Sequence, residues 1–303
     1  MAILVSNMQA SSILGVADGE QIAAGDAGGL ERSCETYGDR IEHARPWRGI
    51  ERIAARFHGN GFSPHRHDTY AIGITLSGVQ TFRYRGSLRF SVPGQVIVLH
   101  PDEVHDGAAG TDDGLVYRML YLPPELIGEA GGDNSRPLPF VTHPVVSDPH
   151  LRHSLAELLD DLAQEPQDLL LDDALPRIVA GLQRHSAVTV RSPGALACQA
   201  VLRAKDYLDS QAPNAVSSQD LEAAAGLNRY ELARQFRRLL GTSPHRYLVM
   251  RRLDRARLAL RAGAGLADAA AAAGFSDQPH FTRHFKKTYG MSPGRWQALS
   301  RLS

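Results

Sequence analysis

The 303-residue chain predicts an α+β protein of two domains. The first is a β-barrel with accessory helices, and the second is an all-α domain of two helix-turn-helix motifs joined by a long helix. Three observations carry this prediction. The middle of the first half alternates apolar and polar residues with period two between glycine turns, the texture of short strands. Helical periodicity takes over after Asp148. The last hundred residues then hold one pattern twice.

Taken in order, residues 1–32 are rich in Gly, Ala and Ser and weakly patterned, which predicts a loosely structured extension. Residues 33–185 form the expected first domain, with a possible role in dimerisation. Within it Tyr70, Ile72, Ile74 and Leu76 alternate with Ala71, Gly73 and Thr75, and Ser77-Gly78 turns the chain into Gln80, Phe82 and Tyr84. Short strands of this kind close into a small barrel or sandwich. Leu151, Leu155, Leu158, Leu159 and Leu162 share one helical face, and a second helix is expected from about Leu170 to His185. Their leucines have two possible destinations, the barrel itself or a homodimer interface. Residues 186–194, with Ser192, Pro193 and Gly194, read as a linker.

Residues 195–303 contain the repeat. Gly226, Phe236, Gly241, Ser243-Pro244, Arg246 and Tyr247 recur as Gly274, Phe285, Gly290, Ser292-Pro293, Arg295 and Trp296. The interval is 48 residues at the first glycine and 49 at every later position, which marks a duplicated unit. Two short helices with a glycine between them are the sequence form of a DNA-reading helix-turn-helix. Ser217 with Asp220, and Asn228 with Glu231, have capping-box spacing. In the second copy Ala269 to Ala273 give the supporting helix and Ser276 the expected cap of the reading helix. Leu232, Phe236 and Leu239 make the buried stripe of the first reading helix, leaving Tyr230, Ala233, Arg234 and Arg237 outside. In the second, Phe281 and Phe285 are core, while Gln278, His280, Thr282, Arg283 and Lys286 project outward. Arg suits guanine and Gln suits adenine in the major groove, whereas Lys286 and Arg237 suit phosphate. His245 to Leu260 reads as one stiff helix between the copies, its Arg251, Arg252, Arg255 and Arg257 partly solvated.

Charge follows the same division. Residues 1–194 hold 16 basic against 25 acidic side chains, and residues 195–303 hold 17 against 8, so a balanced total hides a basic C-terminal module suited to double-stranded DNA. Cys34 and Cys198 lie in different expected domains, which argues against a disulfide framework or a cysteine zinc site. No apolar run reaches the length of a membrane span, and the start lacks the basic segment of a signal peptide. The expected location is the cytoplasm, with no membrane partner.

The stretch Gly274 to Trp296, GFSDQPHFTRHFKKTYGMSPGRW, resembles the second motif of the AraC/XylS family of bacterial regulators, and the resemblance extends over residues 200–300. It implies a sequence-specific DNA-binding transcription regulator, usually an activator that recruits RNA polymerase, with an N-terminal domain that senses a small-molecule effector or dimerises. Positions Tyr230, Ala233 and Arg234, and Gln278, Thr282 and Arg283, would then lie on the base-reading faces. Ala233 departs from the pattern, since it can touch a thymine methyl but cannot donate a hydrogen bond.

The first half resembles the family's cupin-like sensor. Gly59, His65-Arg66-His67, Asp68-Thr69-Tyr70 and Gly78 look like the first cupin motif, and Pro93-Gly94, Pro101 and His105 like the second. Enzymatic cupins hold a metal with three histidines and a glutamate, and here the glutamate position falls near Ala71. His65, His67 and His105 could still form a three-histidine metal site, or they could line a metal-free effector pocket. With Tyr70 and Arg83, and with Tyr84 and Arg85 beside them, they are the candidate effector-binding residues. No cofactor is expected unless that cluster takes a metal. The alternative function is a metal-dependent cupin enzyme that carries a DNA-binding module, which the missing carboxylate disfavours.

Overall fold

A computed structural model describes residues 38–132, 138–187 and 195–301. The expected extension over residues 1–32, Cys34 and most of the expected linker lie outside these residues. Ser186, the first residue of the expected linker, still pairs with Val141, and the Thr142 N–H donates to His185 O at 3.3 Å.

Among the described residues, ten strands build two antiparallel sheets. β1 (Arg40–His43), β2 (Glu51–Phe57), β9 (Leu115–Leu122), β4 (Tyr70–Ser77), β7 (Val96–Leu99) and β10 (Val145–Val146) lie side by side in that order. β3 (Asn60–His65), β8 (His105–Ala109), β5 (Gln80–Tyr84) and β6 (Ser87–Ser91) form the second sheet. Phe57, Phe82, Tyr84, Leu99, Tyr117 and Met119 fill the space between them. Gly73 is required there, since a Cβ at that position would stand 2.6 Å from the Met119 sulfur.

Both faces of β4 are covered. Ala71 joins the barrel interior, while Tyr70, Ile72 and Ile74 point the other way, into a layer made by α1 (Pro124–Ala130), α2 (Pro149–Leu159) and α3 (Asp168–Arg184). Leu151, Leu155, Leu158 and Leu159 are buried there with Leu171, Leu175 and Leu182, so these leucines pack on their own barrel. Leu162 is not among them, because α2 stops at Leu159. The buried Arg52 guanidinium receives that end, donating to Leu158 O, Asp161 O and Gln164 O at 3.0, 2.8 and 2.7 Å. Cationic donors at exposed helix carbonyls satisfy acceptors that the helix cannot.

The C-terminal region is helical throughout: α4 (Ala195–Ser210), α5 (Ser218–Ala225), α6 (Arg229–Leu240), α7 (Pro244–Arg261), α8 (Leu266–Ala272), α9 (Gln278–Tyr289) and α10 (Pro293–Arg301). The caps explain these boundaries. Ser217 and Asp220 close a reciprocal capping box, and the Asn228 side chain accepts from the N–H groups of Tyr230 and Glu231. α9 is capped by Asp277 and not by Ser276, because the Asp277 carboxylate accepts the His280 N–H while the Ser276 hydroxyl turns to the His280 ring. Gly226, Gly241 and Gly290 end α5, α6 and α9 in the left-handed conformation, at φ 69°, 69° and 67°. The repeat of glycines is thus a repeat of stop signals.

α7 belongs to two cores. Tyr247 and Leu248 pack with α4 and α6 around Phe236, whereas Val249, Met250, Leu253, Ala256 and Leu260 pack with Phe281, Phe285 and Trp296. This second core is continuous with the barrel interior. Eighteen helical residues make α7 about 27 Å long, a rigid bar between the two units.

Candidate functional site

The reading faces come first. Tyr230 is 80% exposed at the start of α6, followed by a half-buried Ala233 and exposed Arg234 and Arg237. Arg234 is held along the helix by Glu231. On α9, Gln278, Arg283 and Lys286 are exposed and Thr282 is half-buried. His280 differs from its neighbours, since its ring packs on Phe275 and on His284, with centroids 5.6 and 4.7 Å away. The predicted outer faces are therefore open to a duplex, with His280 engaged by the protein itself.

The predicted histidines come together. His65 and His105 rings lie 4.3 Å apart between centroids, His67 and His105 4.9 Å, and His65 and His67 6.3 Å. The main chain fixes their tautomers. Nδ1 of His65, His67 and His105 lies 2.8, 2.8 and 3.0 Å from the carbonyls of Ser63, Thr69 and Glu103. A carbonyl only accepts, so each Nδ1 carries the proton and each Nε2 presents a lone pair. Burial keeps the rings neutral, holding His65 and His67 well below the usual histidine range and His105 at about 4. Neutral imidazoles suit metal ligation, but no three His, Cys, Asp or Glu side chains among the described residues are disposed around a common metal position.

Two predicted effector residues stand elsewhere. Tyr70 is buried under the α1–α3 layer, its hydroxyl donating to Pro139 O at 2.7 Å, because β4 is covered on both faces. Arg83 projects from the outer face of β5 into solvent, and its backbone N–H donates to Asp106 at 2.5 Å. Tyr84 and Arg85 are engaged with His100, at 2.7 and 2.9 Å from its Nδ1.

A cavity of about 110 Å³ is lined by His65 and His67 and lies between the barrel and the second helix-turn-helix unit. His65, His67, Asp68, Glu51, Ile41 and Tyr121 supply the barrel wall, and Tyr247, Met250, Arg251, Asp254, Arg257, Tyr289 and Trp296 the helical wall. The sequence reading missed this helical wall. Arg251 and Arg257 were expected to be partly solvated, yet Arg251 Nη2 lies 2.9 Å from Asp68 Oδ2 and Arg257 is ion-paired with Glu51. Arg246 adds a bond to Asp102 at 2.5 Å and donates to Arg66 O. Arg252 donates to the carbonyls of Ala212 and Asn214, and Arg255 alone of the four is exposed.

The same wall is joined through the main chain. The Ser63 N–H donates to Gly290 O at 2.9 Å and the Arg66 N–H to Lys287 O at 3.1 Å, so the strand that carries His65 is bonded to the last turn of α9. Gly290 permits this approach, since a Cβ there would stand 2.7 Å from Ser63 O and 2.8 Å from the His65 ring.

With this geometry in place, comparison with known proteins gives a consistent result. Residues 49–179 match the AraC-like ligand binding domain family, and residues 221–298 match a helix-turn-helix domain family. The HTH-type transcriptional regulator YbfI of Bacillus subtilis is 28% identical over 232 residues, spanning 75% of this chain and 84% of that protein. The HTH-type transcriptional activator RhaS of Escherichia coli is 24% identical over 242 residues, spanning 77% and 86%. Among solved structures, ToxT of Vibrio cholerae superposes with a TM-score of 0.61 at 12% identity, covering 83% of this chain and 98% of that one. The sequence relatives are transcriptional regulators, and the helix-turn-helix match carries DNA binding with it. No described helix is long and apolar enough to cross a membrane.

Proposed function

Because this chain belongs to the AraC family of transcriptional regulators, we propose that α6 and α9 read specific DNA under the control of a small-molecule effector seated between the barrel and the second helix-turn-helix unit. One observation carries the effector part. The cavity shares its walls between His65, His67 and Asp68 on one side and α7, α9 and α10 on the other, so whatever occupies it touches both the barrel and the frame of a reading helix. Occupancy can alter the presentation of α9 only by differing in affinity between its docked and released states. The bonds from Ser63 and Arg66 to the end of α9 are the element such a difference would act on. The protein acts by binding and not by catalysis, in the cytoplasm, as an activator that contacts RNA polymerase and works as a homodimer. Leu151, Leu155, Leu158 and Leu159 of α2 and Leu171, Leu175 and Leu182 of α3 are already covered, whereas Leu169 of α3 is 80% exposed.

Selection of bound sites from a random duplex library, followed by affinity measurements on Arg234→Ala and Arg283→Ala, tests the DNA part. Each change is expected to cost about 1–3 kcal/mol on the preferred site and to relax preference at one or two base pairs in its own half. A loss equal on all sequences would turn both residues into phosphate contacts, and a full-length protein with no preferred site would overturn the reading.

A further inference from the structure

Resting on the reading of this cavity as the effector site, we propose that its ligand is a small organic cation, a protonated amine carrying a neighbouring hydroxyl, and not a carboxylate. The wall of the cavity is short of positive charge. Asp68, 5% exposed, and Asp254 share one guanidinium, with Arg251 Nη2 2.9 Å from the first carboxylate and 3.2 Å from the second. Asp254 has only the neutral Tyr289 hydroxyl besides, at 3.2 Å. Of the other acids on the wall, Glu51 is paired with Arg257, and Glu125 has only a share of Lys205, which lies 3.5 Å from it and 3.0 Å from Asp209. The wall thus carries four carboxylates against the two guanidiniums of Arg251 and Arg257, and charges withdrawn from water without partners are costly.

A second observation, independent of the acids, also asks for a donor. His67 is 7% exposed, donates its Nδ1–H to Thr69 O, and presents on the cavity wall an Nε2 with no partner. An ammonium N–H pointed at this lone pair and at Asp68 would satisfy both. A carboxylate in the same place would meet a carboxylate and an imidazole lone pair. The Arg251 and Arg257 Nε–H groups lack acceptors on the same wall, and a hydroxyl on the amine can supply one. The volume of about 110 Å³ limits the molecule to about the size of benzene.

The test is thermal unfolding of the full chain titrated with ethanolamine, acetate and ethylene glycol as probes, at neutral pH and constant ionic strength. Ethanolamine is expected to raise the midpoint with saturation while acetate does not, and Asp68→Asn is expected to weaken the ethanolamine effect by about tenfold or more. Asp254→Asn serves the same purpose should the first variant not fold. Saturable stabilisation by acetate without ethanolamine would overturn the ligand class and leave the cavity as the effector site. Equal stabilisation of the parent and both variants by ethanolamine would overturn the proposal by placing the amine elsewhere. No saturable effect from any probe would overturn the proposal together with the site on which it rests.

Discussion

Replacing Arg257 with Ala is expected to lower the free energy of unfolding by about 3 kcal/mol, because it empties a buried guanidinium site and leaves the half-buried Glu51 carboxylate without its partner. Arg257 is 9% exposed on its side chain and ion-paired with Glu51 across the joint between α7 and β2. Its guanidinium also lies 4.8 Å from the Tyr289 ring centroid and 5.8 Å from that of Trp296. Three contacts from different elements disappear together. Urea unfolding at neutral pH measures the effect. The double change Glu51→Gln with Arg257→Met is expected to recover much of the loss, since it removes both charges and keeps the volume. A single variant within about 0.5 kcal/mol of the parent would show the pair to be solvated.

Acidification is expected to be as damaging. Burial holds His105 at about 4 and His43 and His100 at about 3, with His65 and His67 also well below the ordinary value of 6.5. The unfolded chain therefore binds more protons than the folded one between pH 6.5 and about pH 4. The neutral rings contribute their full stability above pH 6.5, and that contribution is lost as the pH falls through this window. His105 alone is worth about 3 kcal/mol on this linkage. Asp68 and Asp254, whose carboxyls burial pushes upward, oppose the trend, but five imidazoles outnumber them. Thermal midpoints between pH 7 and pH 4.5 should fall steadily. A flat profile would mean that these rings open to water without unfolding.

The sequence was most legible where the chemistry is local. Asn228, Ser217, Gly226, Gly241 and Gly290 act within one helical turn of themselves, so residue type and spacing suffice to place the helices. The slip from Asp277 to Ser276 has the same scale, two cap-competent residues standing side by side. The three histidines were legible because a short motif and one strand pairing, His65 opposite His105, bring them together. Faces of strands were not. Tyr70 belongs to an alternation that is apolar on both sides, and only the arrival of α1–α3 decides what each side meets. Least legible were Arg251 and Arg257, whose partners Asp68 and Glu51 lie 183 and 206 residues earlier. Helical periodicity assigns such residues to a solvated surface when the surface that covers them is in another domain.

Trp296 gives the joint an optical signature. It is 3% exposed, with the His43 ring of β1 5.5 Å away and the Arg257 and Arg261 guanidiniums at 5.8 and 5.4 Å. The other indole, Trp47, is half-buried and packs against the α1–α3 layer. In a Trp47→Phe chain all tryptophan emission would come from Trp296, short in wavelength while the indole is shielded and shifting to the red once water reaches it. Fluorescence of that single ring would then follow, in real time and without a label, whether the barrel keeps or releases the second helix-turn-helix unit as DNA or a small molecule is added. An emission maximum unchanged through both additions would mean that the joint stays shut while the protein works.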